Sequence, residues 1–148
     1  MKWQPTRFGF VLRLEAGEEI FASLRRFAEL QGIRSGTVTG LGAVGETELG
    51  FFHPATREYS RRSFTGDYEI GSLTGNLSEF EGHPHPHCHL VISGPDFVAH
   101  AGHLFRAVVS VTCEITIATD PDPLLRMARP DLGFHPLEPS QSEADETS

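Results

Sequence analysis

Residues 81–104 read EGHPHPHCHLVISGPDFVAHAGHL and hold six of the eight histidines of this chain. Two strand-like stretches flank the turn-forming residues SGPD at 93–96, which predicts an antiparallel pair of strands. Because residues two apart on a strand share a face, His87 and His89 should lie side by side while Cys88 points the other way. Imidazole is a common ligand of zinc and related metals, so this pair predicts a metal site.

The first two histidines of the run, His83 and His85, are expected to lie outside that site. Pro84 and Pro86 have no backbone N–H to donate, so residues 83–86 should form a loop or a frayed edge. An alternative interpretation is that the histidines are solvated or structural. The run is internal and flanked by apolar, strand-like sequence, unlike a terminal purification tag, and this favours metal binding.

The third ligand depends on the register between the two strands. If Ile92 pairs with Phe97 across a four-residue loop, His89 lies opposite His100, and His103 faces away. In that register His100 would complete the site.

A loop one residue longer gives a different outcome. If Ile92 pairs with Val98, His87 lies directly opposite His103, and His100 points away. A bulge near residues 101–102 could convert one register into the other, so the spacing alone leaves both open.

Outside this hairpin the sequence predicts one helix and several further strands. The helix opens at Gly17-Glu18-Glu19, with its acids at the positive N-terminal end, ends near Gly32, and has an apolar stripe made of Ile20, Phe21, Leu24, Phe27 and Ala28. Strands are predicted over residues 8–14, 36–41, 46–52, 58–64, 68–77, 87–92, 98–103 and 107–117, and a short helical turn over 124–128. These elements predict an α+β fold: a single compact domain with a curved, mainly antiparallel sheet and one principal helix packed on it.

The segment GLGAVG at residues 40–45 fits the glycine fingerprint of dinucleotide-binding sites. That fingerprint needs a helix that begins at the glycines, whereas residues 46–60 alternate like a strand and contain a proline. We therefore expect these glycines to allow a sharp turn or a close backbone approach, with no nucleotide bound.

Length and charge limit the remaining possibilities. The 148 residues suit one domain, and a long apolar run and a signal-peptide core are both missing, so we expect a cytoplasmic protein that does not enter a membrane. The net charge is −8; without the four acids of residues 138–148 it is −4, from 12 basic and 16 acidic residues. We expect a domain over residues 1–137 and a disordered acidic tail over residues 138–148.

Several motifs together resemble the PPC domain (plants and prokaryotes conserved). They are YEIGSLTGNLS at 68–78, HCHLVIS at 87–93, AGHLFRAVV at 101–109 and CEITI at 113–117, with a strand, a helix and TGLGAVG fitting upstream. The chain departs from the family at Ala101, where the pattern has glycine. Nearly the whole chain except its C-terminal tail is similar to this family, in its stand-alone prokaryotic form.

The resemblance implies a compact α+β fold, a homotrimer and, in some prokaryotic members, a metal bound by His-x-His and a downstream histidine. Carried over to this sequence, that ligand set is His87, His89 and His103, with zinc or another divalent first-row metal as the cofactor. The plant relatives associate with DNA, but through a basic AT-hook whose Arg-Gly-Arg-Pro core does not occur here.

These observations leave three function classes in order of preference. The first is a binding or regulatory module with a histidine metal site, DNA-associated by family analogy only. The second is a zinc-dependent enzyme that uses an open three-histidine site, and the third is a small-molecule sensor. Direct binding to DNA should be weak or absent, because phosphate contacts need clustered Lys and Arg.

Overall fold

The structure is a computed structural model, and it describes residues 1–140. It contains one helix, α1 (Ile20–Gln31), and seven strands: β1 (Lys2–Thr6), β2 (Gly9–Glu15), β3 (Gly36–His53), β4 (Glu58–Phe64), β5 (Tyr68–Phe80), β6 (His83–Ser93) and β7 (Ala99–Thr119). All strand pairs are antiparallel. The predicted α+β fold, a single domain with one sheet and one helix, is confirmed.

The sheet is curved enough to close on itself. Its strand order is β1-β2-β7-β6-β5-β3-β4, and β3 also pairs with β7, so β7, β6, β5 and β3 form a ring. Apolar side chains from these strands and from α1 make one buried core, with Leu73, Leu90, Ile115 and Phe27 fully or almost fully buried. The sheet thereby has a buried inner face and an outer face, and strand alternation decides which side chains reach the outside.

Helix α1 ends where its sequence predicts and begins at Ile20, just after the acidic residues predicted to open it. Glu19 is the N-cap, and its carboxylate accepts hydrogen bonds from the backbone N–H groups of Phe21 and Ala22 at 3.0 and 2.6 Å. Gly32 ends the helix in the left-handed conformation with φ of 66°. In the part of the chain that the structure describes, no helix is long and apolar enough to cross a membrane.

Strand β3 joins two strands that were predicted separately, and the glycine segment lies inside it. Gly42 has φ of 147°, and a Cβ atom there would lie 2.2 Å from the carbonyl oxygen of Thr112 on β7. The predicted close backbone approach is confirmed, and the chain runs on as a strand where a dinucleotide site would need a helix.

Strand β6 begins earlier than predicted. Residues 83–86 pair with β5, so the predicted loop is wrong, and His83 and His85 lie on a paired edge of the sheet and not on a frayed one. The reason is that β6 pairs with β7 only from His89 onward, which leaves residues 83–88 without a β7 partner. Because Pro84 and Pro86 occupy alternate positions, both missing N–H donors lie on the same edge of β6. The hydrogen bonds from the other edge to β5 are therefore retained.

The segment after β7 runs alongside the end of β5. The helical turn predicted over residues 124–128 is wrong, because this segment pairs with the end of β5: Glu79 N–H donates to Leu124 O at 2.7 Å, and Arg126 N–H donates to Glu79 O at 2.8 Å. Hydrogen bonds to β5 pair backbone N–H and C=O groups of this segment that in a helix would bond to one another. Most of the acidic tail predicted over residues 138–148 lies outside the described residues, and it stays a prediction.

Candidate metal centre

Strand β6 directs its histidines away from the core. Cys88 is only 1% exposed and packs in the core, while His87 and His89 lie on the outer face of the sheet. The predicted alternation is confirmed. Because the thiol of Cys88 points inward, burial raises its pKa to about 12, and it does not face the histidine pair.

The observed register between β6 and β7 differs from both predicted registers. Ser93 pairs with Ala99, and His89 lies directly opposite His103. Directly opposed residues share a face, so His103 joins His87 and His89 on the outer face.

A five-residue loop over residues 94–98, as long as the longer predicted loop but shifted by one residue along the chain, sets this register. Phe97 N–H donates to Gly94 O at 2.9 Å, and Val98 N–H donates to the side chain of Asp96 at 3.1 Å. Phe97 has a left-handed φ of 59°, which is rare for an aromatic residue. Phe97 and Val98, whose apolar character is typical of strand residues, therefore belong to the loop.

The remaining histidines of the run stand apart from the three. His100 pairs with Ile92, and its ring packs on Phe64 at a centroid distance of 4.8 Å, so it faces away from His89. His83 is exposed, and His85 is half-buried near Phe80.

The three outer rings form a compact cluster. Their centroids lie 5.0 Å apart for His87 and His103, 5.5 Å for His87 and His89, and 5.6 Å for His89 and His103. One ring nitrogen from each lies within 4.8 Å of those of the other two. Tetrahedral zinc needs ligand nitrogens about 3.3 Å apart, given Zn–N bonds of about 2.0–2.1 Å, which is within reach of small side-chain rotations.

Burial keeps two of these rings in the form that a metal requires. Desolvation is the main cause that lowers the pKa of His87 to about 4, with the nearby Arg126 charge adding to it. The pKa of His103 is lowered to about 4 for the same first reason, with His89 the next contributor. Both rings are therefore neutral at neutral pH, and only a neutral imidazole has a ring lone pair that can coordinate a metal.

An unpaired atom in the cluster fits a bound ion. His103 Nδ1 is buried and has no hydrogen-bond partner in the described structure, a rare and costly condition that an ion or a donor would relieve. Within residues 1–140 these three histidines are the only group of His, Cys, Asp or Glu side chains close enough to hold an ion. Three imidazole ligands suit zinc, copper, nickel and iron, and leave further coordination positions for another ligand.

Aromatic side chains shield one side of the cluster. The ring of Tyr59 lies 5.2 Å from that of His103, and the ring of Phe105 lies 4.8 Å from it. The guanidinium of Arg61 covers Phe105 at 3.7 Å from the ring centroid. This wall explains why His103 is half-buried although it lies on the outer face.

Arg126 contacts the cluster from the segment that follows β7. One of its terminal nitrogens donates to His87 Nδ1 at 3.1 Å and to Asn76 Oδ1 at 2.7 Å. Sequence reasoning missed Arg126, because it lies far along the chain in a segment that was predicted to be helical. Asn76 lies opposite His87 on a predicted strand, and strand pairing was the only signal that could have indicated it.

Comparisons with known proteins identify the family of this chain and bear on its fold. A family model described as the Plants and Prokaryotes Conserved (PCC) domain matches residues 6–120. The comparison with curated proteins gives no match.

Solved structures of bacterial and archaeal proteins are similar over most of the chain. A protein of Bacteroides thetaiotaomicron is 31% identical with a TM-score of 0.89, covering 93% of this chain and 96% of that one. A protein of Ralstonia eutropha is 26% identical with a TM-score of 0.86, covering 93% and 95%. A protein of Archaeoglobus fulgidus is 26% identical with a TM-score of 0.82, covering 93% and 97%. The first two are described as putative DNA-binding proteins and the third as a metal-containing protein.

Proposed function

The chain belongs to the Plants and Prokaryotes Conserved (PCC) domain family, as its motifs predicted, and we propose that it is a metal-binding module of that family. His87, His89 and His103 are the proposed ligands, and zinc or another divalent first-row metal is the proposed ion. Its role is binding and regulation, with the metal centre on the outer face of the sheet.

The convergence of three ring nitrogens within 4.8 Å carries this proposal. The neutral state of His87 and His103 and the unpaired Nδ1 of His103 support it. The similar protein of Archaeoglobus fulgidus, described as metal-containing, supports it independently of the geometry.

A zinc titration of two single variants tests the ligand assignment. His103→Ala removes a ligand and should weaken zinc binding by about 10-fold or more, since even the loss of an outer-sphere partner costs 10- to 100-fold. His100→Ala is the matched control: it removes a half-buried histidine of the same strand that faces Phe64, so zinc affinity should stay unchanged. A loss in His100→Ala with none in His103→Ala would refute the assignment.

A second candidate function, a metal-dependent enzyme, is favoured by one observation. Among the described residues, no fourth Asp, Glu, Cys or His joins the cluster, and catalytic zinc sites keep such an open position for water. Hydrolysis of an activated ester that requires zinc and is lost in His103→Ala would favour the enzyme. Zinc binding without such turnover would favour the module or a small-molecule sensor.

We propose a homotrimer with the histidine cluster near a subunit boundary. The family resemblance supports a trimer, and closed symmetry is the usual arrangement for identical subunits. Large apolar side chains on the surface, Leu41, Phe51 and Phe97, are 61%, 67% and 89% exposed, as expected where subunits meet. Light scattering should give the mass of three chains at micromolar concentration, and a monomer there would contradict the proposal.

The association with DNA is proposed to be indirect. Two similar proteins are described as putative DNA-binding proteins, which favours a role near DNA. The acidic charge of this chain argues against strong direct contact with phosphates.

A further inference from the structure

Arg126 is a buried cation whose partners are all uncharged. Its side chain is 8% exposed. Nε donates to Ser78 Oγ at 2.8 Å, one terminal nitrogen donates to His135 O at 2.6 Å, and the other donates to Asn76 Oδ1 and His87 Nδ1. A buried charge with no opposite charge beside it is costly, which marks this position as one where an anion would be stabilised.

Carboxylates of the described residues lie elsewhere. None of the hydrogen bonds of Arg126 goes to an acid, and desolvation is the sole resolved influence on its pKa, which burial lowers. The polar groups that contact Arg126 are the carbonyl of His135, the amide of Asn76, the hydroxyl of Ser78 and the ring of His87. The histidine cluster and Arg126 therefore form a region with positive charge and no acid to balance it.

The contact between Arg126 and His87 is incompatible with a metal-bound His87. A guanidinium only donates, so His87 Nδ1 accepts, and the ring proton of the neutral imidazole lies on Nε2. If His87 coordinates through Nδ1, that lone pair is no longer available to Arg126. If His87 coordinates through Nε2, the proton moves to Nδ1, which becomes a donor facing another donor.

We propose that the metal centre takes a small oxyanion such as a carboxylate as its further ligand, and that an N–H of Arg126, released from His87 on metal loading, helps to bind that anion. This inference rests on the proposed function, because it needs the ion at the three histidines. Metal loading frees an N–H of Arg126 to bind the anion, and the bound anion in turn offsets the buried charge of Arg126. Metal binding and anion binding should therefore strengthen each other.

Zinc titrations in chloride buffer, with added acetate or with acetamide as the uncharged isostere, test the coupling. Acetate should tighten zinc binding to the wild-type protein by at least about 5-fold, the lower end of typical coupling between sites. Acetamide should have no effect. Sulfate in a third arm shows whether any oxyanion suffices or the carboxylate shape is required.

Variants assign the effect to Arg126. Arg126→Gln should lose the acetate effect, and Arg126→Lys should retain part of it because the charge remains. Arg129→Gln is the matched control, since Arg129 lies on the same segment but is exposed and pairs with Asp131 at 2.8 Å; it should behave as wild type.

The outcomes separate this inference from the proposed function. A wild-type protein that fails to bind zinc in any buffer refutes the metal site itself. A wild-type protein that binds zinc equally with acetate and acetamide refutes only the anion inference, even if Arg126→Gln does not fold. An acetate effect that persists undiminished in folded Arg126→Gln also refutes the role of Arg126.

Discussion

At the scale of single residues, the protonation of His87 and His103 sets how the cluster responds to pH. The pKa of each ring is lowered from 6.5 to about 4, first by burial. Between these two pH values the unfolded chain takes up protons that the folded rings do not. Protonation therefore favours the unfolded state, and the metal-free protein should lose stability as pH falls from about 6.5 to about 4.

Urea unfolding of metal-free protein across this range measures the effect. The wild type should show a steeper loss than the double variant His87→Gln and His103→Gln, because the variant lacks both low-pKa rings. The comparison matters because carboxylates such as Glu18, whose pKa is lowered by bonding to the N-terminal ammonium group, also destabilise the protein at low pH in both chains. Equal slopes would mean that the two rings titrate as they do in water.

The sequence could predict part of the ligand set at this scale. His87 and His89 could be predicted from strand alternation, because residues two apart on a strand share a face in any register. His103 came from the family resemblance, since the two weighed registers gave different third ligands. Arg126 could not be predicted, because its position depends on long-range pairing of Glu79 with the segment after β7.

At the scale of elements, the close approach of β5 and β6 supports the cluster. Gly75 on β5 lies opposite Cys88, and a Cβ atom there would lie 2.2 Å from the carbonyl oxygen of His87 and 2.7 Å from the sulfur of Cys88. Gly71 on the same strand has no atom closer than 3.7 Å to its added Cβ. The two glycines form a matched pair for testing the contact.

Gly75→Ala should destabilise the protein by about 1–3 kcal/mol, the usual cost of overpacking, and weaken zinc binding, because the backbone of His87 must move. Gly71→Ala should be neutral or slightly stabilising, since alanine costs less conformational entropy than glycine in a strand. Urea unfolding and zinc titration of both variants measure this. Equal free energies of unfolding for the two variants would show that β5 and β6 can move apart at residue 75 without loss of stability.

The register of β6 and β7 shows where sequence reasoning at this scale stops. The loop between them takes up Phe97 and Val98, which have the apolar character of strand residues. The left-handed conformation of Phe97 and the bond from Val98 N–H to Asp96 fix the loop length, and neither has a signal in an apolar pattern. The helix was predictable because its acidic start and its glycine stop are local to the chain.

At the scale of the whole molecule, charge argues against strong contact with bare DNA. The chain carries −4 without the acids of residues 138–148, and its adjacent arginines are partly engaged: Arg25 pairs with Glu29 at 3.2 Å and Arg61 with Glu48 at 2.8 Å. Each phosphate contact needs a free cation to displace a counterion.

Fluorescence anisotropy with duplex DNA at about 150 mM salt, the physiological level, measures this directly. The expected dissociation constant is weaker than micromolar, since a trimer would gather only a few free arginines on one surface. A sub-micromolar value would show that trimer formation builds a basic surface that a single chain lacks. The DNA association of the family would then apply to this protein directly.

Metal content of untagged protein, prepared without added metal and measured by elemental analysis, tests the central claim most directly. The wild type and the double variant His83→Ala and His85→Ala should each carry about one divalent ion per chain, because these two residues lie outside the cluster. The double variant His87→Ala and His89→Ala should carry essentially none. Loss of the metal in the first double variant, with the metal retained in the second, would contradict the account.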